Sequence, residues 1–166
     1  MKTTTGRHTH SRRMHKPKDE GHDAYRPGGK LAEPAVCSAC GAVWRGGRWR
    51  WEGADFGARA VLCPACHRVR DGLPAGYVKL EGEFFAGHRD EILACVRRCE
   101  RAEKKSHPLQ RIMAIEANGE GWIVTTTDSH LARRIGEALK SAFKGRAAFS
   151  YQAQDNLLRV TWSRAR

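Results

Sequence analysis

The sequence predicts an α+β protein in three parts: a basic disordered arm over 1–33, a four-cysteine zinc ribbon over 34–82, and an α-β-β-α-β-β sandwich of ferredoxin-like or KH-like size over 83–166. Three observations carry this reading. Two C-x2-C pairs occur in the first half, helical and strand-like periodicities alternate in the second, and the first thirty residues have almost nothing to bury.

Residues 1–30 hold eight Lys/Arg, three Asp/Glu and four histidines, with Met14 and Tyr25 as the large apolar side chains. Such a segment stays unfolded on its own. It reads either as a tail that orders on nucleic acid or as a solvated terminus, and His8, His10, His15 and His22 offer at most adventitious metal contacts.

Cys37, Cys40, Cys63 and Cys66 form C-x2-C, twenty-two intervening residues, and C-x2-C, the spacing of a four-thiolate site. Two residues between cysteines let a tight turn present both sulfurs to one ion at ~2.3 Å, and four thiolates around Zn2+ leave no open coordination position. One structural zinc ion is therefore expected, because so short a β segment needs a staple. A rubredoxin-like iron electron carrier shares the pattern. Around the knuckles, AVWR, RWRWE and YVKLEG read as short strands bounded by glycines. Trp44, Trp49 and Trp51 interleave with Arg45, Arg48 and Arg50, a combination that suits base stacking and phosphate pairing, or else a small aromatic core with the arginines facing outward.

From residue 86 the periodicity becomes helical, with Ile92, Leu93, Cys95, Val96 and Cys99 on one stripe, where the two thiols read as core. His107-Pro108 ends that helix. RIMAIEA and GWIVTTT follow as strands around an Asn118-Gly119 turn, then a helix capped by Asp128 or Ser129, whose buried stripe is Leu131, Ile135, Ala138, Leu139, Ala142 and Phe143. RAAFSYQA and LLRVTW complete the set, with a turn at Asp155-Asn156.

Thirty Lys/Arg against eighteen Asp/Glu leave a formal charge of +12, which points to polyanionic partners. The excess is concentrated early, with fifteen basic against seven acidic residues over 1–80 and fifteen against eleven over 81–166. No stretch approaches the ~20 apolar residues of a membrane-spanning helix. The N-terminus has no apolar core of a secretory signal, so a cytoplasmic, reducing setting is expected, where six cysteines serve as metal ligands or buried thiols. Thr125-Thr126-Thr127-Asp128-Ser129-His130 gathers hydroxyls, a carboxylate and an imidazole, yet a strand end and a helix cap require the same residues. No phosphate loop or nucleophile elbow is present, and no catalytic residue or small-molecule substrate is expected.

The run Cys63-Pro64-Ala65-Cys66-His67-Arg68-Val69-Arg70-Asp71-Gly72, continuing through Tyr77-Val78-Lys79-Leu80-Glu81-Gly82, resembles the archaeal and eukaryotic nonsense-mediated-decay protein three family. The likeness extends over about 100 residues, through the helix at 88–104, the strand at 121–126 and the helix around His130. Members are adaptors for export and maturation of the large ribosomal subunit, so the resemblance implies association with ribosomal RNA or that subunit. They carry further cysteine pairs and downstream domains, whereas this chain has one set of four, as in a stand-alone, bacterial-style relative. The expected function is RNA binding without catalysis, with Arg45, Arg48, Arg50 and Arg68 as contacts; the alternative is a DNA-binding or transcription-associated zinc ribbon.

Overall fold

The computed structural model describes Tyr25 and residues 30–166, and the arm expected over 1–33 lies almost wholly outside them. The fold is mixed α and β, with two sheets and four α-helices among the described residues.

The first sheet is small. Strands β1 (Ala35–Cys37), β2 (Val43–Arg45), β3 (Arg48–Arg50) and β4 (Arg59–Val61) are ordered β3-β2-β1-β4, with β1 and β4 parallel and the other pairs antiparallel. Gly46 and Gly47 both have positive φ, 60° and 73°, the two-residue turn whose twist suits a hairpin. Glu33 fastens this turn by accepting the N–H groups of Gly46 and Gly47 at 3.1 and 3.0 Å. Those two donors hold its carboxyl below the usual range.

Helix α1 (Pro64–Asp71) follows, where the ribbon reading has only a knuckle. The signals are local: Cys63 is the N-cap, Pro64 occupies the first turn, and Gly72 closes the helix at φ 65°.

The second sheet contains β5 (Gly76–Glu81), β6 (Ile112–Asn118), β7 (Gly121–Thr126), β8 (Arg146–Gln152) and β9 (Leu157–Ser163), in the order β6-β7-β5-β9-β8. This corrects the expected boundary at 82. The Tyr77–Gly82 run does not belong to the ribbon, because β5 is the middle strand of the larger sheet, antiparallel to β7 and parallel to β9. Bonded on both edges, it buries Val78 and Leu80 completely. The expected α-β-β-α-β-β order therefore gains a leading strand. Strand β5, the helices α2 (Glu83–Gly87) and α3 (Arg89–Ser106), and β6 form a split crossover with β7 between its strands, as in the ferredoxin-like class. The departure from that class is at the other side, where β9 turns back from the edge strand β8 and inserts beside β5.

Helix α3 and α4 (Ser129–Phe143) lie on one face, since Val78, Leu80, Val124, Val160 and Trp162 meet Ile92, Val96, Leu131, Ile135 and Leu139 in one core. The anticipated stripes hold, except that Ala142 is exposed. Gly136 is buried on α4 because a Cβ there would stand 2.7 Å from Val160 Cγ1 and 2.9 Å from Phe149 Cε1. Gly136→Val is accordingly expected to lower stability by about 1–3 kcal/mol through overpacking, read as a shift of the urea midpoint. Among the described residues, no helix is long and apolar enough to cross a membrane.

Candidate metal centre

Strand β1 ends on Cys37, and the chain turns at once so that Gly41 N–H donates to the Cys37 carbonyl at 2.9 Å. This turn carries Cys40. The second pair sits at the start of α1, where Cys63 caps the helix and Cys66 lies in its first turn, its N–H donating to Cys63 Sγ at 3.4 Å. The parallel pairing of β1 with β4 brings the two halves together, and Cys63 N–H reaches Cys37 Sγ at 3.3 Å. All four Sγ atoms lie within 4.8 Å of one another, and all six cysteines are free thiols.

The electrostatics of the cluster call for a cation. Burial pushes the Cys63 thiol far up, and charge on Cys40, Cys37 and Cys66 pushes it further. Cys66 is raised as well, first by burial, against the pull of Arg111. At Cys37 burial also works upward, but N–H groups of Cys63, Cys40 and Ala39 aimed at its sulfur bring it down to about 6. Thiolates this close repel one another, and burial adds to the cost of ionising Cys63 and Cys66. A divalent ion relieves that conflict, and the all-sulfur donor set suits a thiophilic metal, so the residues fit the group their spacing implies.

A fifth side chain takes part that spacing could not disclose. Arg111, between α3 and β6, places Nη2 at 3.2 Å from Cys63 Sγ, 3.4 Å from Cys66 Sγ and 3.7 Å from Cys40 Sγ. Its contacts lie 45 to 71 residues away in sequence, and nothing local marks it.

The four arginines expected to meet RNA separate into three situations. Arg48 and Arg50 are exposed on the edge strand β3, on either side of buried Trp49. Arg45 is partly exposed and ion-paired with Asp55 and, at 3.3 Å, with Glu52. Arg68 is corrected: it is only 5% exposed, donates to the Leu73 carbonyl at 3.0 Å and lies 4.8 Å from the Tyr25 ring, so its place is inside the fold. The indoles divide too. Trp44 and Trp49 pack at 5.7 Å across β2 and β3, whereas exposed Trp51 donates its indole N–H to the Lys104 carbonyl at 2.6 Å, at the end of α3.

Cys95 is buried with the core of the larger sheet, and Cys99 packs against it. Burial, helped by Glu103, pushes the Cys99 thiol up to about 11. Cys99→Ser is expected to leave metal content per chain unchanged in elemental analysis, while its thiol in the parent protein reacts slowly with iodoacetamide at pH 8.

The Thr125–His130 run is used structurally. Asp128 caps α4 by accepting His130 N–H at 2.7 Å, Thr126 donates to the Asp128 carbonyl at 2.7 Å, and Thr127 bonds the Leu109–Arg111 segment. Compared with protein-family models, curated proteins and solved structures, the chain matches none.

Proposed function

We propose that the chain is a cytoplasmic, non-catalytic RNA-binding protein whose Cys37, Cys40, Cys63 and Cys66 hold one structural zinc ion. The observation that carries the reading is the exposed pair Arg48 and Arg50, set on the edge of a sheet that the cysteine cluster organises. Phe56 is fully exposed in the loop that follows, and the Arg45–Asp55 ion pair ties that loop to the β2–β3 hairpin. Exposed guanidinium groups for phosphates and an exposed aromatic face for a base are the elements of single-stranded and looped RNA recognition. The formal charge of +12 supports a polyanion of this kind. The resemblance of Cys63–Gly82 to the nonsense-mediated-decay protein three family favours ribosomal RNA, and with it the large ribosomal subunit, over other RNAs.

The zinc, once bound, supplies structural crosslinking. The chain's own residues do the recognition: β3 fixes the spacing of Arg48 and Arg50, and Trp49 beneath them anchors the strand.

Sedimentation with ribosomal particles on a sucrose gradient tests this. The wild-type protein is expected to travel with the large subunit at low salt, and a folded Arg48→Glu/Arg50→Glu variant to stay at the top. With Arg48→Ala/Arg50→Ala, the slope of log affinity against log salt on an RNA fragment should fall by about two, roughly one per lost phosphate contact. Wild-type protein that remains at the top at low salt contradicts ribosomal binding. Tighter binding to duplex DNA than to structured RNA at matched salt favours the transcription-associated alternative.

A further inference from the structure

Arg111 is placed with unusual care for a surface-type residue. Its backbone is clamped by Thr127: the Arg111 N–H donates to Thr127 Oγ1 at 2.9 Å, and the Thr127 N–H donates to the Arg111 carbonyl at 2.9 Å. The Thr127 hydroxyl also donates to the Leu109 carbonyl at 2.6 Å, and Leu109 itself packs on the cluster of buried residues around the cysteines. The side chain therefore leaves a fixed point of the larger unit and ends against three sulfurs of the smaller one. Its Nε is buried without a hydrogen-bond partner, a desolvation cost that attraction to the sulfurs has to offset.

Four thiolates on a divalent ion retain two negative charges, and such charge is normally balanced by donors outside the ligand set. A guanidinium is always charged, and its planar fork can share protons among several acceptors. We infer that Arg111 is a positioning residue of the metal centre: it donates to the metal-bound sulfurs of Cys40, Cys63 and Cys66, slows loss of the metal, and by the same bonds fastens the ribbon to the α/β unit. Another fastening is the Trp51–Lys104 hydrogen bond, which touches no sulfur. This inference rests on metal binding by the cysteines and is independent of RNA recognition.

The test uses the full chain loaded with Co2+ for spectroscopy and with Zn2+ for kinetics. Hydrogen bonds to sulfur lower the energy of its lone pairs, so Arg111→Met is expected to move the sulfur-to-cobalt charge-transfer band to lower energy. Zinc transfer to a chromophoric chelator should become on the order of tenfold faster, the usual scale for losing an outer partner of a ligand. Arg111→Lys keeps the charge but loses the fork, and should lie between the two. Leu109→Ala trims the packing on the same cluster but keeps the Arg111 donor, and should leave the band in place. A folded Arg111→Met protein with the wild-type band and release rate overturns the inference. Where that variant does not fold, Arg111→Lys decides: a shifted band with faster release supports the assignment, and wild-type values for both overturn it. Absence of a cobalt-thiolate band in the wild type removes the metal reading and this inference with it.

Discussion

Replacing Cys63 with serine is expected to abolish stoichiometric metal binding and unfold the smaller sheet while leaving the larger one intact. Cys63 sits at the centre of the cluster: it is completely buried, its Sγ lies 3.8 Å from that of Cys40, and it both caps α1 and bonds Cys37 Sγ. A serine hydroxyl is a harder, less acidic ligand and holds zinc poorly. Metal binding in small structural sites supplies roughly 10–16 kcal/mol of folding free energy, far more than the packing of Ala42, Trp49, Ala65 and their few neighbours can replace. The α/β core includes no residue of the ribbon sheet and should survive. Hydrogen exchange reads both units at once, with protection lost over 35–61 and kept at Val78, Val124 and Val160. Full protection of the smaller sheet without metal contradicts the account.

Trp162→Ala should have the next largest effect, and in the opposite unit. Trp162 is completely buried, packs edge-on with Phe84 at 6.5 Å and Phe143 at 6.4 Å, and donates its indole N–H to the Lys144 carbonyl at 2.9 Å. That bond, with Arg164 Nη1 to the Phe143 carbonyl at 2.7 Å, satisfies two carbonyls at the C-terminal end of α4. Truncation leaves a cavity and an unpaired carbonyl, for a cost of about 3–5 kcal/mol. Trp162→Phe, which fills most of the space but loses the donor, should cost about 1–2 kcal/mol. Urea unfolding followed by circular dichroism measures both. Metal content per folded chain should not change, since the cysteines lie in the other cluster.

The contrast between these two substitutions follows from how the units are built, and it also explains what could be read in advance. The cysteine site was legible because the two sulfurs of each pair are set by one short local turn, although the helix that Cys63 caps was not. Both long helices were legible from their helical period, and β6 to β9 from strand-like runs set off by turn residues. Strand β5 was misplaced because membership of a sheet is decided by partners. Its own alternation suits either unit, whereas β7 and β9, which claim it, lie far along the chain. Arg68 reads as a surface contact because a charged residue just past a cysteine knuckle looks exposed until Tyr25 and Leu73 are seen around it. Arg111 leaves no trace, since a lone arginine in the connection between a helix and a strand carries no pattern.

Cys37, Cys40, Cys63 and Cys66 lie in the same small unit as the edge strand that carries Arg48 and Arg50. Native mass spectrometry of the full chain, purified without added metal and paired with elemental analysis, tests their metal binding most directly. One zinc ion per chain is expected, lost on chelation together with protection of the smaller sheet. A folded, metal-free chain, or one carrying iron, would contradict it.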